Sequence, residues 1–304
     1  MYTPIFFSLG LISIANAFPS YVGRVEHAKM QFHHTTQTSP SFTSLNAWPP
    51  FNKGPSEEVV SVVDEPVDNE LVPGPLGVKN GIAAAVWVSL VSWAFLFAPG
   101  ALNSDADIAL ITKLISQPVP RPEDVNQIWF ALWNFFAVVP AALAALSAPT
   151  GKGQRLNAVP FLWGSAFFGY FALGPYFATR TERTGPLGKS DLGWSSRNIF
   201  ENRAFGIGLS ALTISALYSS DIFVPDFDFT ATLADFINLL SGSRFVSVAS
   251  VDICLMSVLA AVLVSEDCKL RGWEDKSIPL LFGTILLPVL GPSIYLAVRP
   301  ELDE

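Results

Sequence analysis

The sequence predicts an all-α polytopic membrane protein: about six transmembrane helices behind a cleaved N-terminal region. Half of the 304 residues are hydrophobic and only 14% are charged, with a mean hydropathy of +0.41. A soluble domain usually carries about a quarter charged residues. The apolar excess falls into separate runs, each long enough or nearly long enough to cross a bilayer as a helix. A lone apolar strand would leave its backbone groups unpaired in lipid, which leaves helices as the economical solution.

The elements follow in chain order. Residues 5–17 (IFFSLGLISIANA) are apolar, too short for a span, and end in Ala15-Asn16-Ala17, a small-x-small cleavage signal. Residues 1–17 are therefore expected to be a signal peptide. Residues 18–56 contain Arg24, Lys29 and Lys53, all three histidines and many Ser and Thr, against the single acid Glu26. The balance then reverses: Glu57, Glu58, Asp64, Glu65, Asp68 and Glu70 sit among Val and Pro, so 57–79 reads as an extended acidic linker. The membrane domain, 80–304, is expected to hold spans at 81–98, 128–148, 159–178, 204–220, 245–264 and 278–298. At 1.5 Å per residue these cover roughly 30 Å of hydrocarbon, the fourth only marginally.

Two further stretches, 105–116 and 229–240, are amphipathic. Ile108, Ile111 and Ile115 share one helical stripe; Phe229, Leu233, Phe236, Ile237 and Leu240 share the other. They are read as helices lying along the membrane surface, with packing across the bundle as the alternative. With six spans, loops 99–127, 179–203 and 265–277 share one side and carry ten Lys or Arg, against about five on the other. The positive-inside tendency then puts those loops on the inner side and both termini across the membrane.

A weak internal repeat connects the halves. Leu143-Ala144-Ala145 matches Leu259-Ala260-Ala261, and Leu173-Gly174-Pro175 with Tyr176 and Arg180 matches Leu290-Gly291-Pro292 with Tyr295 and Arg299. Each half also places an amphipathic stretch between its first and second spans. A duplicated three-helix unit fits, and because three is odd the halves would face opposite ways, as in many transporters.

Few residues offer chemistry. Histidine occurs only at positions 27, 33 and 34, so a haem, a histidine-ligated di-iron centre or a Ser-His-Asp enzyme is not expected in the mature chain. Cys254 and Cys268 imply no disulfide framework, and no basic, aromatic-interleaved module points to nucleic acid. Asp252 is the one acid inside a span, a costly placement unless it meets a polar partner, water or a proton. Asn134 has an amide able to bond another helix or a headgroup. Pro140, Pro175, Pro288 and Pro292 withhold backbone donors and are expected to kink their helices. Asp252, Asn134, Gly174, Pro175, Gly291 and Pro292 therefore form the candidate polar or transport site, with close helix packing the rival reading of the glycines. No cofactor is predicted; pigment or lipid binding has no identifiable ligands.

The Ala17-Phe18 junction, followed by the basic, hydroxyl-rich 18–56, resembles the two-part targeting sequence of plastid proteins in algae with complex plastids, such as diatoms. The stretches NQIWFALWNFFAVVPAALAAL, AVPFLWGSAFFGYFALGPYFATR and PLLFGTILLPVLGPSIYLAVRP resemble uncharacterised multispan membrane proteins of plastids and cyanobacteria. The last helix also bears a faint likeness to the membrane segment preceding some phospholipase-D-type enzymes, but their His-x-Lys motif is missing here. The resemblances imply a plastid membrane location, thylakoid favoured over inner envelope, with the bilayer and a photosynthetic or translocation complex as partners. The expected role is structural or complex-assembly, with no catalytic chemistry identifiable. A small-solute or ion transporter on an inverted three-helix repeat is the alternative, and an intramembrane or lipid-modifying enzyme ranks lower.

Overall fold

The computed structural model describes residues 75–183 and 187–302. The expectations for the signal peptide 1–17, the transit-like 18–56 and the linker up to residue 74 lie outside the described residues. Nine α-helices make up the described domain: α1 Val78–Leu96, α2 Asp105–Ser116, α3 Gln127–Ser147, α4 Ala158–Thr179, α5 Arg203–Ser219, α6 Phe229–Gly242, α7 Arg244–Leu270, α8 Ser277–Leu286 and α9 Leu290–Val298. Six of them start on a side-chain cap (Ser104, Asn126, Asn157, Asn202, Asp228 and Ser243), each accepting a backbone N–H of the first turn. Among the described residues the fold is all-α, and three helices are long and apolar enough to cross a membrane: α1, α3 with its 3-10 extension to Thr150, and α7.

The 27 residues of α7 span about 40 Å and set two ends for the molecule. At its start, Arg244 donates to the carbonyls of Phe95 and Gly100, and Asp107 accepts from Ser243 Oγ and the Phe245 N–H. At its finish, Glu266 and Asp267 meet Arg180 and Arg299. We call these the far end and the charge-rich end. α1 runs from the charge-rich end, where Asn80 donates to the Arg180 carbonyl at 2.7 Å, to the far end. α3 returns: Asn126 bonds the α6 carbonyl of Thr232 at the far end, and Thr150 bonds Arg180. α5 leaves from Glu201 and finishes beside the far-end pair Arg121–Asp221.

The remaining helices do not run from one end to the other. α4 is broken at Gly169, whose φ of 53° and ψ of −135° reverse the chain. Its arms lie side by side: the Phe161 and Tyr176 rings stack at 6.0 Å, and a Cβ on Gly164 would meet the Ala172 Cβ at 3.1 Å. In an unbroken helix positions 161 and 176 would be about 22 Å apart. Both arms end at the charge-rich end, where Gln154 bonds the Thr181 backbone. α8 and α9 repeat this form, with the reversal at 287–289 and Gly291 pressed onto Thr284. Two expected spans, 159–178 and 278–298, are thus hairpins that begin and end at the charge-rich end. One reversal is made by a glycine with positive φ set against Asp252, the other by Pro288 beside Leu287, which leaves helical geometry.

Each half therefore shows the same order of parts: an outgoing helix, a helix at the far end, a returning helix and a hairpin. With each hairpin returning to the charge-rich end, the two halves run in the same direction, which corrects the opposite-facing arrangement expected above. It also corrects the grouping of loops, since 99–127 and 179–203 lie at opposite ends. Of the fifteen Lys and Arg from Lys79 onward, only Lys113, Arg121 and Arg244 sit at the far end.

α2 and α6 pack on the far-end core, where Leu114 and Phe236 join Trp129, Phe130 and Val246. The stripe predicted for α2 is shifted. Ile108 and Ile115 are exposed, because Asp107 must turn inward to bond Ser243.

Candidate functional site

The sequence-predicted site residues divide among four separate contacts. Asp252 lies on α7, 3% exposed, at the reversal of the first hairpin. Its Oδ1 accepts the Tyr170 N–H at 2.7 Å, and its carboxylate covers Gly169 so closely that a Cβ there would overlap it. Tyr170 opens the second arm of α4, so the carboxylate sits at a half-helix N-terminus, where unpaired N–H groups and the helix dipole favour an anion. Asn134, also buried, donates to the Phe130 carbonyl of its own helix at 2.8 Å.

Gly174 and Pro175 serve a different purpose. Proline cannot bond the carbonyl four residues back, which frees the oxygen of Phe171. The α1 indole of Trp87 donates to that oxygen at 2.9 Å. Gly174 admits the indole: a Cβ there would collide with Trp87. Gly291 instead lets α9 lie against Thr284 of α8, and Pro292, in the first turn of α9, needs no helical partner. The two Gly-Pro pairs therefore share a sequence and not a contact. Pro140 stays inside a continuous α3.

The largest polar assembly was missed by sequence reasoning. At the charge-rich end Arg271, wholly buried, holds Glu201 through both Nη atoms at 2.9 and 2.7 Å and Asp267 through Nε at 2.8 Å. Arg299 donates to Asp267 at 3.1 Å and to Glu201 at 2.9 Å, and the Tyr295 hydroxyl donates to Asp267 at 2.8 Å. Two cations face two anions, and the carbonyls of Phe200 and Pro300 take two further guanidinium protons. Beside it Arg180 bonds Glu266 at 2.9 Å and Thr150 at 3.0 Å, while Lys79 pairs with Glu182 and approaches Glu266 at 3.8 Å. The hydrogen bond from Lys79 holds the Glu182 carboxyl below its ordinary range. The adjacent residues Glu266 and Asp267 thus tie one hairpin each. A signal existed in the i,i+4 pair Asp267/Arg271, next to the Glu266 that seats the first hairpin.

Among the described residues no group of three or more His, Cys, Asp and Glu is placed to hold a metal, and Cys254 and Cys268 are unpaired. Two clefts lie at the far end. One of about 420 Å³ is bordered by Asp107, Lys113, Asp124 and Ser243; an apolar one of about 330 Å³ is bordered by Ile128, Phe135, Leu217 and Phe229. Neither includes Asp252. No family model, curated protein or solved structure matches the chain.

Proposed function

We propose that this chain is a plastid integral membrane protein of structural or complex-assembly type, with the thylakoid favoured over the inner envelope. The observation that carries the reading is closed packing at the points where transport would need a water path. Gly174 is filled by Trp87, Gly291 by Thr284, and the Asn134 amide is engaged within its own helix. The two hairpins, seated on adjacent acids of α7, brace one end of the bundle without crossing it. The plastid assignment rests on the Ala17-Phe18 junction and the region behind it.

Two finer proposals accompany this one. The recurring order of parts, with the Leu-Ala-Ala and Leu-Gly-Pro matches, supports a direct duplication whose halves are related by a half-turn about the membrane normal. The concentration of Lys and Arg at one end supports a stromal position for that end, and hence for both ends of the described domain.

The test is native purification from plastid membranes after mild solubilisation, with associated proteins and pigments identified. Stable co-migration with a photosynthetic or translocation complex is expected, and solitary migration would overturn the assembly role. A reporter fused to residues 1–60 tests location separately, and its secretion would remove the plastid assignment.

A further inference from the structure

The two hairpins make the same kind of reversal under different chemistry. The second turns at Leu287, Pro288 and Val289 with no acid of its own at the turn, whereas the first turns against Asp252. A fold that can re-enter with Leu, Pro and Val at the bend does not need a carboxylate merely to turn the chain. A buried ionisable group within a membrane span is costly, so its presence calls for another role.

The surroundings leave that carboxylate without a cationic partner among the described residues. α3 and α8 carry no titratable side chain. Lys79 of α1 and Tyr295 of α9 are bonded at the charge-rich end. Asp105, Asp107 and Lys113 of α2 and Asp235 of α6 belong to the far-end helices, and α5 offers only Arg203, beside Glu301, and Tyr218. α4 presents the Tyr170 backbone N–H, with the phenols of Tyr170 and Tyr176 as its titratable groups; along α7 the nearest titratable neighbour in sequence is Cys254.

We infer that Asp252 is a proton-binding site that controls how firmly the first hairpin docks on α7. Protonated, the carboxyl is neutral and stays buried at the reversal, keeping a neutral hydrogen bond from the Tyr170 N–H. Ionised, it is a buried charge with no cation among the described residues to offset its lost hydration, which the half-helix N-terminus at Tyr170 repays only in part, so the tip of α4 opens to water more often. The second hairpin, lacking an acid at its bend, has no such response. This goes beyond the assembly role, since a purely static brace would not change with pH.

Hydrogen exchange read by mass spectrometry on the full chain in lipid nanodiscs tests the inference. Exchange of residues 165–175 is followed from pH 5.5 to 8.5, corrected for intrinsic chemistry and divided by that of residues 283–293. In the native protein the ratio is expected to fall about tenfold towards low pH along a one-proton curve. Asp252→Asn should hold it at the low-pH value throughout. A flat native profile overturns the inference, as does a transition that survives in Asp252→Asn. If that variant does not accumulate, Asp252→Glu takes its place: a displaced midpoint supports the proposal and an unmoved one overturns it. Because the readout is local exchange in the isolated chain, it stands or falls independently of any complex.

Discussion

Replacing Asp267 with asparagine keeps the side chain's shape but removes one of the two negative charges that face Arg271 and Arg299. In the native protein its Oδ2 accepts three donors: Arg271 Nε, Arg299 Nη1 and the Tyr295 hydroxyl. Both arginine side chains are essentially buried, at 0% and 3% exposure, so the surplus positive charge cannot reach water. Breaking a buried pair by removing one partner costs about 3–5 kcal/mol. The asparagine oxygen still accepts a bond and Glu201 still balances one cation, which places the expected loss near the lower limit, about 3 kcal/mol. Tyr295→Phe removes only one hydrogen bond to a charged group and should cost about 1.5–3 kcal/mol. The exposed pair Arg203–Glu301, 3.9 Å apart, is the control; Glu301→Gln should change stability by less than about 0.5 kcal/mol. Reversible unfolding in mixed micelles measures all three, and a cycle with Arg299→Met isolates the coupling. An Asp267→Asn effect no larger than that of Glu301→Gln would refute the claim that this network holds the second hairpin.

The hairpin topology makes its own prediction. Cysteines placed at Lys152, Lys189 and Lys276 should react with an impermeant reagent from one side of the membrane and a cysteine at Lys113 from the other. Opposite labelling of positions 152 and 189 would make 159–178 a crossing and refute the first hairpin. Close packing predicts that Gly206→Leu, which would strike the backbone of Leu296 and Ala297, abolishes stable accumulation, whereas Gly208→Leu, which meets open space, is tolerated in a quantitative blot. At the charge-rich end the Gly188 N–H, and then Arg183, hold the Asp191 carboxyl below its ordinary range. Its contribution to loop order is present above about pH 4 and is lost as pH falls through the depressed value. Protease susceptibility near residue 190 should therefore rise only in acid, and Asp191→Asn should show that susceptibility at neutral pH.

Some of this was legible in the residues. Helical class, the apolar runs and the existence of α2 and α6 follow from composition and a period near 3.6, but not which face is buried, since Ile108, Ile115, Phe229 and Ile237 are exposed. The cap residues Ser104, Asn126, Asn157, Asn202, Asp228 and Ser243 are equally local. Asp252 could be singled out by its cost alone, since a carboxylate inside an apolar run is expensive wherever the helix lies. Hydropathy, however, measures affinity for lipid and not direction of travel. Residues 159–178 are as apolar as a spanning helix, and only the backbone at Gly169 sends them back. That glycine adopts φ of 53° where α7 presents a carboxylate, a condition set 83 residues further along the chain. Apart from the i,i+4 pair Asp267/Arg271, the charge-rich end was unreadable for the same reason: Glu201 and Arg299 belong to other segments, and they meet that pair only once the second hairpin returns. The sequence by itself determined which segments are helical and apolar; the tertiary structure decided which of them cross, because crossing depends on what each helix meets at its break.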